Sequence, residues 1–86
     1  MCIRDSLYRV LNDTAAALAA NPENVAATLQ NGLAELRQAG FAPDYLELRD
    51  AADLSRMSRL DRPARLVAAA HLGRTRLIDN IPVDAS

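Results

Sequence analysis

The sequence has no tryptophan, no lysine, one cysteine and one histidine, and its only aromatic residues are Tyr8, Phe41 and Tyr45. Each shortage narrows what the chain can be. With so few aromatics, a core must be built from Leu, Val, Ile and Ala, and a surface that stacks unpaired bases is disfavoured. A single thiol, Cys2, cannot close an internal disulfide. One His and one Cys are too few good ligands for a zinc site made by the protein alone. No excess of positive charge exists: ten basic residues face eleven acidic ones, for a net charge of −1. That balance argues against a general polyanion or nucleic-acid binder. No apolar run approaches the roughly 18–20 residues that span a bilayer, and the N-terminus lacks the apolar stretch of a signal peptide. A soluble cytoplasmic protein with no membrane partner is therefore the expectation.

What is present fits one small domain. Half of the 86 residues are hydrophobic, enough for a packed core. A domain this short buries only about 60–65% of its unfolded surface, so a covering partner would help it. All ten basic residues are Arg and seventeen residues are Ala, which reads as genomic composition rather than functional choice. The opening Met1-Cys2-Ile3-Arg4-Asp5-Ser6 joins the following pattern abruptly, and residues 1–6 are read as a non-native leader.

Two helices are expected first. Leu7, Val10, Leu11, Ala15 and Leu18 recur at three- and four-residue steps on one helical face, with Ser6 available as N-cap. Asn21-Pro22 breaks the pattern, and Asn21 can cap a second helix starting at Pro22 or Glu23. That helix carries Val25, Ala26, Leu29, Leu33 and Leu36 on its stripe and ends at Gly40. Gly32 lies inside it at a cost of about 0.5–1 kcal/mol relative to Ala, which a close helix–helix or helix–sheet approach would justify.

After Gly40 the period becomes two. Leu46 and Leu48 alternate with Tyr45, Glu47 and Arg49 in a half-buried strand. Asp50 to Leu54 is expected as one short helical turn, and Ser55 to Pro63 as a polar loop. Residues 65–72 are Ala-rich, which favours helix by propensity. Their shortness, Pro63 before them, Gly73 after them and the β-like run Thr75 to Ile81 favour a hairpin about Gly73-Arg74. The expected fold class is α+β: two N-terminal helices packed on a small antiparallel sheet of about three strands.

Two stretches carry a resemblance to a known family. The run from Gly40 to Ala51, Gly-Phe-Ala-Pro-Asp-Tyr-Leu-Glu-Leu-Arg-Asp-Ala, resembles the first strand of the C-terminal domain in the pantothenate synthetase (pantoate–β-alanine ligase) family. The run from Leu66 to Asn80, ending Leu-Gly-Arg-Thr-Arg-Leu-Ile-Asp-Asn, resembles that domain's closing hairpin. The resemblance covers roughly Leu7 to Val83, so residues 7–86 are identified as a C-terminal lid domain. It implies an ATP-dependent, AMP-forming ligase of the coenzyme A pathway that condenses pantoate with β-alanine through pantoyl adenylate, using Mg²⁺. Such chemistry needs a positive, water-poor pocket. In the family that pocket lies mainly on an N-terminal Rossmann-like domain bearing His-x-Gly-His, with a Ser-Arg-Asn loop just before the first helix found here. Neither motif occurs in this chain. The resemblance therefore assigns no catalytic, nucleotide-binding or metal-binding residue to this stretch, which alone would be inactive and bind neither ATP nor Mg²⁺. Its implied partners are the N-terminal domain of its own chain and a second subunit in a homodimer.

Two look-alikes are read structurally. His71-Leu72-Gly73-Arg74 matches three of four residues of the adenylate-forming motif but falls at a hairpin, not at the helix N-terminus that phosphate binding needs. Arg56-Met57-Ser58-Arg59 mimics a phosphate loop, yet lies downstream of where the family carries its own. Arg56, Arg59, Arg62, Arg65, Arg74 and Arg76 concentrate positive charge in the second half, only partly offset by Asp53, Asp61 and Asp79. Some could add potential over ATP, or all could be a solvated edge with ion pairs. Asp79-Asn80 is read as ending the last strand or bonding a neighbouring loop, with an interdomain contact as the alternative. Asp44, Glu47, Asp50 and Asp53 form no catalytic pair by spacing. A free-standing α+β protein-interaction module remains the alternative to the ligase.

Overall fold

The computed structural model describes residues 3–84; Met1 and Cys2 of the expected leader fall outside them. Helix α1 spans Ile3–Ala20 and α2 spans Val25–Gln38; strands β1 (Ala42–Asp50), β2 (Ala64–Leu72) and β3 (Thr75–Val83) follow. The strands form one antiparallel meander in the order β1-β2-β3, and the α+β expectation holds.

The apolar stripe of α1 buries Leu7, Val10, Leu11 and Leu18. The helix begins at Ile3, so Ser6 lies within its second turn and is not its N-cap. Asn21 does not cap α2 either. Its backbone N–H donates to Ala17 O at 2.9 Å and closes α1. Asn21 and Pro22 then lead a β-turn in which the Asn24 N–H donates to Asn21 O at 3.0 Å. Proline's fixed φ suits the second position of such a turn as well as a helix start, and here the turn takes it. Helix α2 starts after Asn24, whose carbonyl accepts the Thr28 hydroxyl at 2.9 Å. On α2, Val25 and Leu36 are buried and Leu29 and Leu33 partly so, while Ala26 is exposed and Thr28 takes the expected inner place. The helix ends in a Schellman arrangement: Gly40, at φ +97°, donates to Arg37 O, and Phe41 donates to Leu36 O at 2.9 Å.

Both helices lie on one face of the sheet, α2 over β1 and α1 over β3 and β2. Alternation aims Leu46 and Leu48 of β1, Leu66, Ala68 and Ala70 of β2, and Leu77, Ile81 and Val83 of β3 at the helices, and all are buried. The small Ala side chains on β2 let the helix layer approach. At Gly32 the approach is tight: a Cβ there would sit 2.6 Å from Leu46 Cδ2 and 2.8 Å from Thr14 Oγ1. Helix–helix and helix–sheet contact both converge on this one residue.

The hairpin is observed, with Leu72 opposite Thr75 and Leu66 opposite Ile81. Helix propensity in residues 65–72 loses because β2 gains partners on both edges and buries its alternate residues.

Asp50 to Leu54 forms the single turn expected and no longer helix. The Leu54 N–H donates to Asp50 O at 2.8 Å, one isolated turn. Leu54 then reaches φ +61°, a left-handed conformation that costs a non-glycine residue roughly 1–2 kcal/mol and stops propagation. The segment from Ser55 to Pro63 is a loop, but not a wholly solvated one: Met57 and Leu60 are buried. It is also tied by its backbone. Asp50 N–H donates to Ser55 O, Met57 N–H to Leu48 O, and Leu60 N–H to Pro22 O, all at 2.8–3.1 Å.

Candidate functional site

The sheet's far face carries the polar chemistry. Alternation that buries Leu46, Leu48, Leu66 and Ala68 turns Tyr45, Glu47 and Arg49 outward on β1. It does the same for Arg65, Val67 and His71 on β2, and for Arg76, Ile78 and Asn80 on β3. No layer among the described residues covers this face, and Ile78 is 59% exposed.

At one end of the face, β1 bulges between Pro43 and Tyr45. The bulge adds a residue to β1 and re-aims the side chain there. Asp44 Oδ2 accepts a hydrogen bond from Arg76 Nε at 3.0 Å and lies 3.0 Å from His71 Nε2. His71 and Arg76 face each other across the hairpin. The Arg76 hydrogen bond, helped by the nearby His71, holds the Asp44 carboxyl below its ordinary value of 3.8. A carboxylate whose folded pKa is depressed adds stability above its unfolded pKa and loses it as pH falls through the folded one. The thermal midpoint of Asp44→Asn should therefore lie below that of the parent at neutral pH. The two should converge as pH is taken below 3.8, read by circular dichroism melts; a gap constant with pH would contradict the pairing.

Towards the other end, Glu47 serves two arginines. Arg49 Nη2 donates to it at 2.7 Å and Arg56 Nη2 lies 3.1 Å away. Arg49 also donates to Leu54 O at 3.3 Å, which ties the left-handed turn to the sheet. Arg65 Nε donates to Asn80 Oδ1 at 2.8 Å. Asn80 thus bonds a neighbouring strand, and Asp79-Asn80 lies within β3 rather than ending it, because β3 runs on to Val83.

Other basic residues are engaged inside the domain. Arg62 pairs with Asp50, whose other oxygen accepts the Ala52 N–H at 2.7 Å, and Arg59 pairs with Glu23 at 3.2 Å. The Asp53 carboxyl is also held low, chiefly by the Ser55 backbone N–H that it accepts. Arg56-Met57-Ser58-Arg59 does not form a phosphate loop by itself: Met57 faces the core, and its two arginines reach different carboxylates, Glu47 and Glu23. His71 lies in β2 and Gly73, at φ +60°, makes the turn, so no helix dipole meets that motif. Among the described residues no three of His, Cys, Asp and Glu gather as a metal site, and no helix is long and apolar enough to cross a membrane.

Sequence spacing did not reveal the Asp44–His71–Arg76 cluster, whose members come from separate strands. Once the turn is placed at Gly73-Arg74, register alone sets His71 against Arg76, and that was the available signal.

Comparison with known proteins supplies what this geometry lacks. The profile described as Pantoate-beta-alanine ligase matches residues 4–82. Pantothenate synthetase from Azotobacter vinelandii is 48% identical over 82 residues, covering 95% of this chain and 29% of that protein. The enzyme of the same name from Rhizorhabdus wittichii is 52% identical over 80 residues, covering 92% and 28%. The crystal structure of pantothenate synthetase from Thermus thermophilus superposes with a TM-score of 0.73 at 32% identity, over 88% of this chain and 28% of that one. The chain thus spans less than a third of these relatives. A match that runs through both helices and all three strands leaves one assignment: the chain belongs to the pantoate–β-alanine ligase family.

Proposed function

We propose that this chain is the C-terminal lid of an ATP-dependent ligase that joins pantoate to β-alanine. One observation carries the reading: the family match extends through every element, yet accounts for under a third of the relatives' length. In the reaction, a pantoate carboxylate oxygen bonds to the α-phosphorus of ATP while the bond to pyrophosphate breaks. The β-alanine amine then attacks the acyl carbon of pantoyl adenylate, AMP leaves with the bonding electrons, and the amine loses a proton. The first step requires neutralisation of a triphosphate and exclusion of water.

Among the described residues no three of His, Cys, Asp and Glu gather to cage a metal ion by themselves, and Mg²⁺ in phosphate chemistry usually takes one or two carboxylates beside the phosphates. In this reading the ion and the reacting groups are held by an N-terminal Rossmann-like domain, in a homodimeric cytoplasmic enzyme. The lid limits water access to that domain's pocket.

The test is reconstitution. The 86-residue chain is mixed with a separately expressed N-terminal domain of a close homologue, and pantoate-dependent exchange of labelled pyrophosphate into ATP is followed. The chain alone should give no exchange. Its addition should raise the rate of the N-terminal domain, saturably with lid concentration. An unchanged rate, with complex formation verified by size-exclusion chromatography, would defeat the lid role.

A further inference from the structure

The strand register produces an arrangement that is hidden in the sequence. Arg49 lies directly opposite Arg65 on β2, and on its other side it forms a bridge with Arg56. Directly paired residues share a face, so three arginines form one row across the open side of the sheet. Like charges placed opposite each other destabilise a sheet. Internal compensation is incomplete: Glu47 is shared by Arg49 and Arg56, and Arg65 is held by the neutral amide oxygen of Asn80. Three guanidinium groups thus face one carboxylate. The chain's even overall charge does not apply here, because the surplus is local.

We infer that this row binds a phosphate-class polyanion, with Arg65 as its principal fork. Adjacent strands lie about 4.8 Å apart, so the row spans roughly 10 Å, the scale of a di- or triphosphate rather than a single carboxylate. Arginine's planar fork matches phosphate oxygens in pairs. Asn80 accepts from Nε and Nη2 of Arg65 on one side, which fixes the plane of the guanidinium and leaves the end-on pair, Nη1 and the second Nη2 hydrogen, for a ligand. Glu47 makes one contact with Nη2 of each of Arg49 and Arg56, holding both near the sheet. Tyr45 and Val67 lie beside the row, so an attached nucleoside would meet an apolar neighbour. This inference departs from the expectation that this stretch alone binds no ATP; it does not depend on the ligase reading, and its failure would leave that reading intact.

The experiment titrates the 86-residue chain at low ionic strength with inorganic pyrophosphate and, separately, with ATP, using amide chemical shifts. Saturable shifts centred on Arg49, Arg56 and Arg65 are expected. Arg65→Gln should weaken pyrophosphate binding about tenfold, the scale of a lost charge-assisted contact. Arg65→Lys, which keeps the charge without the fork, should recover part of the loss. Arg37→Gln, the same loss of charge on exposed α2, should leave binding unchanged. Equal affinities for pyrophosphate and ATP identify the phosphates as the determinant, whereas tighter ATP binding adds a nucleoside contact; both outcomes support the site. No saturation, shifts centred elsewhere, equal weakening by Arg37→Gln and Arg65→Gln, or displacement of pyrophosphate by a lower concentration of hexaglutamate peptide would overturn it. Shift mapping on the parent chain keeps the test decisive if a variant fails to fold.

Discussion

Leu66→Ala should remove about 2–5 kcal/mol of folding stability, the range for truncating a fully buried leucine. Leu66 sits on the central strand, is 0% exposed, and lies between Leu48 and Ile81 in the two flanking strands. Its side chain therefore occupies the middle of the sheet's inner face, beneath the helix layer. Small domains have only about 5–15 kcal/mol in total, and this one falls toward the lower end by size. The variant should be largely unfolded at temperatures where the parent is intact. Urea unfolding at 25 °C measures the difference, and a loss below about 1 kcal/mol would mean that the site collapses without a cavity. Leu66→Ile, which preserves volume, should cost under about 1.5 kcal/mol.

Gly32→Val should cost about 2–3 kcal/mol, against the direction that helix propensity predicts. Propensity alone favours almost any residue over glycine within α2. A Cβ at this position, however, would come within 2.6 Å of Leu46 Cδ2 and 2.8 Å of Thr14 Oγ1. Both neighbours are buried, so neither can yield without moving the α1–α2 or α2–β1 contact. Valine adds two branches to that overlap and restricts χ1 within a helix. Gly32→Ala should show the same sign with a smaller loss. An alanine variant more stable than the parent would mean that Leu46 and Thr14 repack freely, and the close approach would lose its significance.

The parts of this fold that are legible in sequence are those set by local period. The leucine stripes of α1 and α2, the alternation at Leu46 and Leu48, and the glycine turn at Gly73 each reflect geometry within a few residues. The errors share a cause. Asn21 and Pro22 satisfy a turn and a helix start equally well, and the choice is made where Leu60 donates to the Pro22 carbonyl, far along the chain. Ser55 to Met57 reads as polar loop because its composition is polar, yet its backbone completes the outer edge of β1. Asp50 to Leu54 makes its single turn, but nothing local shows that the chain reverses there to reach that edge.

The candidate site was less legible still. Arg49, Arg56 and Arg65 are unremarkable as points on a line; only the pairing of strands makes neighbours of them. Asp44 gains its partners through a bulge, and no pattern of hydrophobicity announces one. Family resemblance, rather than any constellation of side chains, carried the functional reading.

Contact between α1 and β3 joins the first and last elements of the described chain. Most other neighbours are close in sequence: α1 with α2, α2 with β1, and each strand with the next. Such local pairs can form early, at little entropic cost, whereas drawing the two distant ends together closes the widest loop. The molecule is thus fastened by a clasp. Until β3 is laid down, Leu7, Leu11 and their neighbours on α1 lack part of their cover, and an incomplete chain would present that greasy stripe to whatever it meets.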